Sequence, residues 1–312
     1  MFKAIYITEA GKKIGFGHLK RSVSLSALLP NCEIHVVLEQ SHSMDWNHGY
    51  KTWNSSSSVS ALLDQYNVVI FDSFHGSQQT YTDLQRHPCV IYIDDYVRRP
   101  LNTGLVVDWT VGAEHREPMG DAHCYGIKYL VTRPQFHGPK LTSHQKKITK
   151  VTTVFGGSDP FNMSSKTATL LRNESNLKVR HLGTKLYPSY PKFKNDERFY
   201  WDLDDDVFAN YLASSDIVIT AGGQTLYELA SLGIPAIAVS VAANQDGDIN
   251  GFNSLGTCRV LDTKFINTIV SFLENISLED RQFMSQASKG VDGRGFFLKA
   301  AIYEYINERI SI

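Results

Sequence analysis

Apolar positions come in short unbroken runs, each followed by a glycine-bearing or polar turn and then by an amphipathic stretch. Ala4–Ile7, Ile34–Leu38, Val68–Phe71, Val90–Ile93 and Leu105–Val107 are such runs in the first half. Runs this short, rich in Val and Ile and without alternation, are expected as strands buried on both faces, the pattern of a parallel sheet. Amphipathic stretches from Gly17 to Leu29 and from Val59 to Tyr66 are expected as helices. The stretch from Gln40 to Ser58, rich in Ser, His and Trp, reads as a loop.

The alternation restarts at residue 151. Val151–Phe155, Lys178–Leu182, Ile217–Ile219 and Ala236–Val239 read as strands. Gly156–Asn162 is a glycine turn leading into a helix that ends at Arg172. Asp204–Ala213 reads as a helix with acids in its first turn, where they face the positive end of the helix dipole. Lys264 to Ile312 reads as helical apart from Gly290–Gly295, with the last helix able to pack back on the first half. The polar, basic segment Lys140–Lys150 separates the two alternating halves and is taken as a linker. The expected fold is therefore α/β, with two Rossmann-like doubly wound domains, 1–148 and 149–312, facing a cleft.

Composition changes this picture little. A chain of 312 residues is long for one core. Its apolar fraction of 42% and charged fraction of 20% are ordinary for a globular protein. A net charge of -1 supplies no basic field for nucleic acid and no polybasic membrane anchor. No run is long enough to span a bilayer and no N-terminal signal pattern is seen, so stable membrane insertion is not expected and the cytoplasm is. Cys32, Cys89, Cys124 and Cys258 are scattered, which argues against a zinc site or a disulfide framework.

Candidate chemistry gathers at strand ends. Gly15-Phe16-Gly17-His18-Leu19-Lys20-Arg21 carries the chain from the first strand into a helix. Its glycines permit unusual backbone angles and close approach of a ligand, and its turn delivers His18 to a helix start, a place suited to an anion. Arg21 shares the face of His18. Three apolar strands end in acids, at Asp72, at Asp94 and Asp95, and at Asp108. Strand-end acids either line the ligand crevice of a parallel sheet or cap the following turn. In the second half, Thr220-Ala221-Gly222-Gly223-Gln224-Thr225 joins a strand to a helix and is expected to cradle a phosphate or pyrophosphate. Glu228 lies one turn into that helix, and Asn244 and Gln245 offer neutral amides. There is no Walker loop, no full dinucleotide fingerprint and no hydrolytic serine elbow.

These blocks carry a resemblance. Ile14-Gly15-Phe16-Gly17-His18-Leu19-Lys20-Arg21 resembles the N-terminal motif of the UDP-2,4-diacetamido-2,4,6-trideoxy-β-L-altropyranose hydrolases of pseudaminic acid biosynthesis, enzymes of glycosyltransferase-B architecture. Gly126-Ile127-Lys128-Tyr129-Leu130-Val131-Thr132-Arg133 resembles that family's Gly-x-x-Tyr-x-x-x-Arg segment. Phe155–Asn162, Thr220–Glu228, Asn244-Gln245 and Val291–Gly295 also have counterparts, in the same order. Two places depart from the pattern. Ile7-Thr8-Glu9 stands where many members carry Arg-x-Asp. Asp72-Ser73-Phe74-His75-Gly76 lacks the tyrosine that members place after the acid, so a phenol is missing there or His75 stands in for it.

The resemblance implies metal-independent, cofactor-free attack of water on the anomeric carbon of a UDP-sugar, with inversion and release of UDP. It implies His18 as general base. It implies Arg133 and Glu228 as substrate contacts; with the reading of the residues themselves, the expected substrate- and nucleotide-binding set is Gly17, Arg21, Arg133, Gly157, Gly222, Gly223, Gln224, Thr225, Glu228, Asn244 and Gln245, with Arg21 and Arg133 on phosphate or acyl carbonyl and Glu228 on hydroxyls. An inverting transferase with an acceptor other than water is the alternative, and a non-catalytic nucleotide-sugar binding module is the third reading.

Overall fold

The computed structural model describes residues 2–11, 16–29, 32–38, 51–53, 59–73, 75–97, 99–241 and 245–310. The chain forms two compact units: residues 1–133 with 294–312, and residues 134–293.

Seven parallel strands build the sheet of the first unit: β1 (Ala4–Ala10), β2 (Cys32–Leu38), β3 (Lys51–Trp53), β4 (Val68–Asp72), β5 (Val90–Ile93), β6 (Leu105–Asp108) and β7 (Ala122–Tyr125). Their order is β3-β2-β1-β4-β5-β6-β7. Ile5 and Ile7 point to one face of β1, Tyr6 and Thr8 to the other, and all four are fully buried. That is why the strand needs no polar alternation. The winding reverses between β1 and β4, where Thr8 pairs with Asp72. Ligands of open α/β sheets bind beyond the strand ends at such a reversal.

The second unit repeats the plan with β8 (Lys150–Val154), β9 (Lys178–Gly183), β10 (Phe199–Trp201), β11 (Ile217–Ala221), β12 (Ala236–Ser240) and β13 (Cys258–Asp262), in the order β10-β9-β8-β11-β12-β13. Its reversal lies between β8 and β11. Its core is built on Val151, Ile217, Ile219, Ile237 and Val239.

The division falls at Arg133–Pro134 instead of at residue 148. The polar segment Lys140–Lys150 belongs to the second unit, with most of its residues exposed and its start anchored to that unit. Phe136 meets the Phe208 ring at 6.4 Å, and the Leu141 amide donates to Leu232 at 2.7 Å. Lys140 Nζ donates to the carbonyls of Ser231 at 2.8 Å and Val291 at 2.6 Å. Its lysine is there to satisfy carbonyls at a helix C-terminus, a use that composition cannot distinguish from solvation. Strands β3, β7, β10 and β13 escape the hydrophobic pattern. Each is short or carries polar residues, and all four lie at sheet edges, where full burial is not required.

The last helix, Phe296–Arg309, lies in the first unit. It buries Leu298, Ile302, Tyr305 and Ile306, and Arg309 reaches Asp121 at 3.0 Å. Ile302→Ala is expected to cost about 2–5 kcal/mol in urea unfolding, whereas exposed Asn307→Ala stays within about 0.5 kcal/mol. Equal effects at the two positions would contradict this packing.

Candidate active site

Asp72, the last residue of β4, is fully buried and is the centre of the polar network at the first reversal. Its Oδ1 takes the Nδ1–H of His18 at 2.7 Å and also a bond from Arg21 Nη2. Its Oδ2 takes Arg21 Nε at 2.6 Å and the Tyr6 hydroxyl at 3.0 Å. Arg21 thus grips the carboxylate with both arms of its fork. Its remaining arm, Nη1, donates to Asp95 at 2.5 Å. The sequence brings these groups together by local rules. His18 and Arg21 lie one turn apart in helix α1 (Gly17–Ser26), which starts after β1, and β1 pairs with β4.

Burial by itself would raise the Asp72 pKa, but the charge and hydrogen bonds of Arg21, with His18 beside it, hold the carboxyl well below the usual range. Arg21 is raised in turn, because Asp72 and Asp95 outweigh its own desolvation. Burial and the adjacent Asp72 push the Tyr6 hydroxyl up, so it remains a donor.

The network also settles the tautomer of His18. Arg21 Nη2 is 3.1 Å from His18 Nδ1, but both are donors in this arrangement and both serve Asp72 Oδ1. With the proton on Nδ1, basicity resides on Nε2. A carboxylate that orients an imidazole through Nδ1 is the arrangement of a positioned general base. His18 is 7% exposed, so most of the ring is covered.

The other strand-end acids divide by role. Asp108 takes the amides of Tyr96 and Thr110, the Thr110 hydroxyl and Arg116, and so caps its own turn. Asp95 belongs to the Arg21 network. Glu9 is buried at the end of β1 and takes the Ser73 hydroxyl at 2.5 Å and His75 Nδ1 at 3.3 Å. The sequence names His75 as one that could stand in for the missing tyrosine, but does not show that Glu9 holds it. A separate hollow of about 410 Å³ beside β7 is lined by residues including Arg116, His123 and Lys128, and neither His18 nor Asp72 lines it.

In the second unit the two glycine turns differ in what closes them. After β8, Asp159 accepts from the amides of Met163 and Ser164, each at 2.8 Å, so a side chain already occupies the start of helix α4 (Met163–Leu170). Tyr187 donates to the Gly156 carbonyl at 2.7 Å, and Thr184 donates to that of Gly157 at 2.7 Å. After β11, helix α7 (Gln224–Leu232) begins with no side-chain cap among the described residues. Its N-cap Gly223 has φ of 115°, and a Cβ there would meet nothing within 4 Å. Gly222 is tightly packed, because a Cβ would come within 2.8 Å of Gln245 and 2.9 Å of Ile249. Gln224 Nε2 and Gln245 Oε1 are both buried with no hydrogen-bond partner among the described residues. Buried polar groups are nearly always paired, so an open helix start flanked by a spare donor and a spare acceptor is chemically fitted to a ligand bearing phosphate and amide-like groups.

Several expectations need adjustment. Arg21 bonds Asp72 through Nε and Nη2 and Asp95 through Nη1, so three of its five N–H groups serve the carboxylates. Gly17 is not among the glycines with a left-handed angle, and a Cβ there would meet nothing within 4 Å among the described residues. Glu228 is fully buried in α7 and Arg133 is largely buried, while Thr225 is half-buried at the open helix start. Gly15 and Asn244 lie outside the described residues.

No protein-family model matches the chain. It is 28% identical over 279 residues to a Helicobacter pylori protein named pseudaminic acid cytidylyltransferase and UDP-2,4-diacetamido-2,4,6-trideoxy-β-L-altropyranose hydrolase, covering 86% of this chain and 49% of that one. It is 27% identical over 273 residues to an uncharacterized protein of Methanocaldococcus jannaschii, covering 76% of this chain and 55% of the relative. The chain therefore spans about half the length of the curated relatives it matches. Among solved structures, MnaA of S. aureus with UDP aligns at TM-score 0.62 and 14% identity, over 100% of this chain and 98% of that one. MurG of Acinetobacter baumannii aligns at 0.60 and 11%, over 97% and 99%. The calicheamicin glycosyltransferase CalG4 aligns at 0.62 and 11%, over 98% of each. The fold is the α/β fold of the glycosyltransferase-B class.

Because Asp72 ionises more readily folded than unfolded, its contribution to stability is complete above its unfolded value of about 3.9 and is lost as pH falls below that. Asp72→Asn is expected to cost about 3–5 kcal/mol at neutral pH by leaving Arg21 underpaired, and to flatten the loss of stability in acid. Denaturant unfolding across pH checks this, and an unchanged acid slope would contradict it.

Proposed function

We propose that the chain acts on a nucleotide sugar and hydrolyses a UDP-sugar, UDP-2,4-diacetamido-2,4,6-trideoxy-β-L-altropyranose or a near relative, at its anomeric carbon. The observation that carries this reading is the Asp72-held His18, whose Nε2 is the basic nitrogen. In the reaction, Nε2 takes a proton from water as the water oxygen bonds to the anomeric carbon. The bond from that carbon to the β-phosphate oxygen breaks, its electron pair leaves with UDP, and the configuration inverts. The fixed carboxylate supports the imidazolium that forms, without itself taking the proton.

In the second unit, taken by itself, the start of α7 is chemically fitted to the nucleotide part of such a substrate: backbone N–H groups at Gly223–Thr225 suit a diphosphate, and the side-chain amides of Gln224 and Gln245 suit polar groups beside it. The related Helicobacter pylori protein carries two activities in its name. Hydrolysis is the one that a carboxylate-held imidazole serves directly. No helix among the described residues is long and apolar enough to cross a membrane.

The test is UDP release from that UDP-sugar in water, without acceptor or added metal. His18→Asn is expected to lower the rate by about 10²–10⁴-fold with UDP affinity unchanged. Gly223→Ala, strained at its φ and filling open space, is expected to weaken UDP binding about tenfold, or about 1.4 kcal/mol. Release that requires an added acceptor alcohol would identify a transferase. Undiminished release by His18→Asn would remove His18 as the base.

A further inference from the structure

The structure contains a second imidazole held by a buried carboxylate at the same strand reversal. Glu9 is only 1% exposed, and burying a carboxylate is costly unless it is well bonded. It accepts the Ser73 hydroxyl at 2.5 Å, the His75 amide at 3.4 Å and His75 Nδ1–H at 3.3 Å. The His75 amide also lies 3.0 Å from Ser73 Oγ. Yet the His75 side chain is 64% exposed. A surface histidine with only a solvated role needs no buried anion behind it.

The turn that carries His75 is fixed at both ends. Ser73 is buried against Glu9. At Gly76 a Cβ would come within 2.8 Å of the Phe71 ring and 2.9 Å of Tyr81, and Arg99 donates to the Gly76 carbonyl at 2.7 Å. Glu9 follows Thr8, the partner of Asp72 across β1 and β4, so by strand alternation its side chain leaves the sheet on the face opposite Asp72, and the two carboxylates flank the C-terminal end of the same reversal from its two sides. With Nδ1 turned to Glu9, the geometry of the ring sends Nε2 away from the protein carboxylate.

We propose that His75 is a sugar-recognition residue of this site, accepting at Nε2 a hydrogen bond from an N–H or O–H group on the sugar of the nucleotide sugar, and that Glu9 is the positioning residue that fixes its tautomer and direction. The inference rests on the nucleotide-sugar reading of the site, but not on the identity of its base. A sugar amide N–H or hydroxyl fits the acceptor that a Nδ1-protonated imidazole presents, and a diphosphate, having no such donor when ionised, does not.

The experiment measures binding of UDP-2,4-diacetamido-2,4,6-trideoxy-β-L-altropyranose and of UDP alone by calorimetry, in the full chain carrying His18→Asn so that the sugar is not consumed. Adding His75→Phe is expected to weaken binding of the UDP-sugar about tenfold and leave UDP binding unchanged. His75→Gln, whose amide oxygen can accept, is expected to recover most of that loss. Glu9→Gln is expected to weaken UDP-sugar binding in the same selective way. The double variant with His75→Phe should lose no more than His75→Phe alone, because Glu9 acts through the imidazole. Equal UDP-sugar affinity in His75→Phe and its parent, loss of UDP affinity to the same degree, or additive losses in the double variant would each overturn the proposal. If His18→Asn does not slow hydrolysis, the functional reading fails at its base, and the His75 comparison is then read from the KM for the UDP-sugar in turnover, with competitive inhibition by UDP as its control.

Discussion

One buried ion pair organises the first unit's functional end. Asp72 sits where a carboxylate has no water, and Arg21 is what makes its ionised state tolerable. The cost of burying both charges is offset only because every strong hydrogen-bonding direction of Asp72 is used, by two arms of Arg21, by Tyr6 and by His18. Rigidity follows from that requirement. If His18 swings away, Asp72 loses one of the bonds that justify its burial. If Arg21 moves, the charge is left without compensation. The imidazole is therefore oriented by the same interaction that lets the strand end in an acid.

The two units share a topology and use their reversals differently. In the first, side chains converge on one carboxylate and produce a directed nitrogen. In the second, the work falls to backbone. Asp159 closes one helix start from within, whereas Gly223 leaves the other open and takes a backbone angle that an ordinary residue resists. A base must be aimed, and side chains aim well. A diphosphate carries spread charge, and a row of N–H groups at a helix end meets it without the desolvation cost of a lysine.

Much of the fold is legible in the chain because its central strands are buried on both faces. Ile5 to Thr8 or Ile217 to Thr220 leave no ambiguity about period. Edge strands such as Ala122–Tyr125 and Phe199–Trp201 are not legible in that way, since a strand with one free edge tolerates His, Cys or Tyr as readily as Val. The segment around Lys140 misleads for a related reason: a lysine that satisfies helix carbonyls is spelled like a lysine in a linker. At the site, spacing singles out His18 and the strand-end acids, but it cannot say which acid holds which group. Asp72 and Asp108 look alike in sequence, and only the pairing of β1 with β4 and the place of Arg116 separate them. Arg21 reads as a ligand contact because a one-turn spacing from His18 is visible, whereas its burial among acids is not. Glu9 and His75 are 66 residues apart, with two helices and three strands among the described residues between them, and no local pattern links them.

The central claim is that Asp72 holds the proton of His18 on Nδ1 and so makes Nε2 the basic nitrogen. Nitrogen-15 resolved NMR of the His18 imidazole at mildly alkaline pH reads this directly. A single Nδ1–H tautomer, with a downfield proton that disappears in Asp72→Asn, is the predicted result. A proton on Nε2, or an even mixture of tautomers indifferent to Asp72, would contradict it.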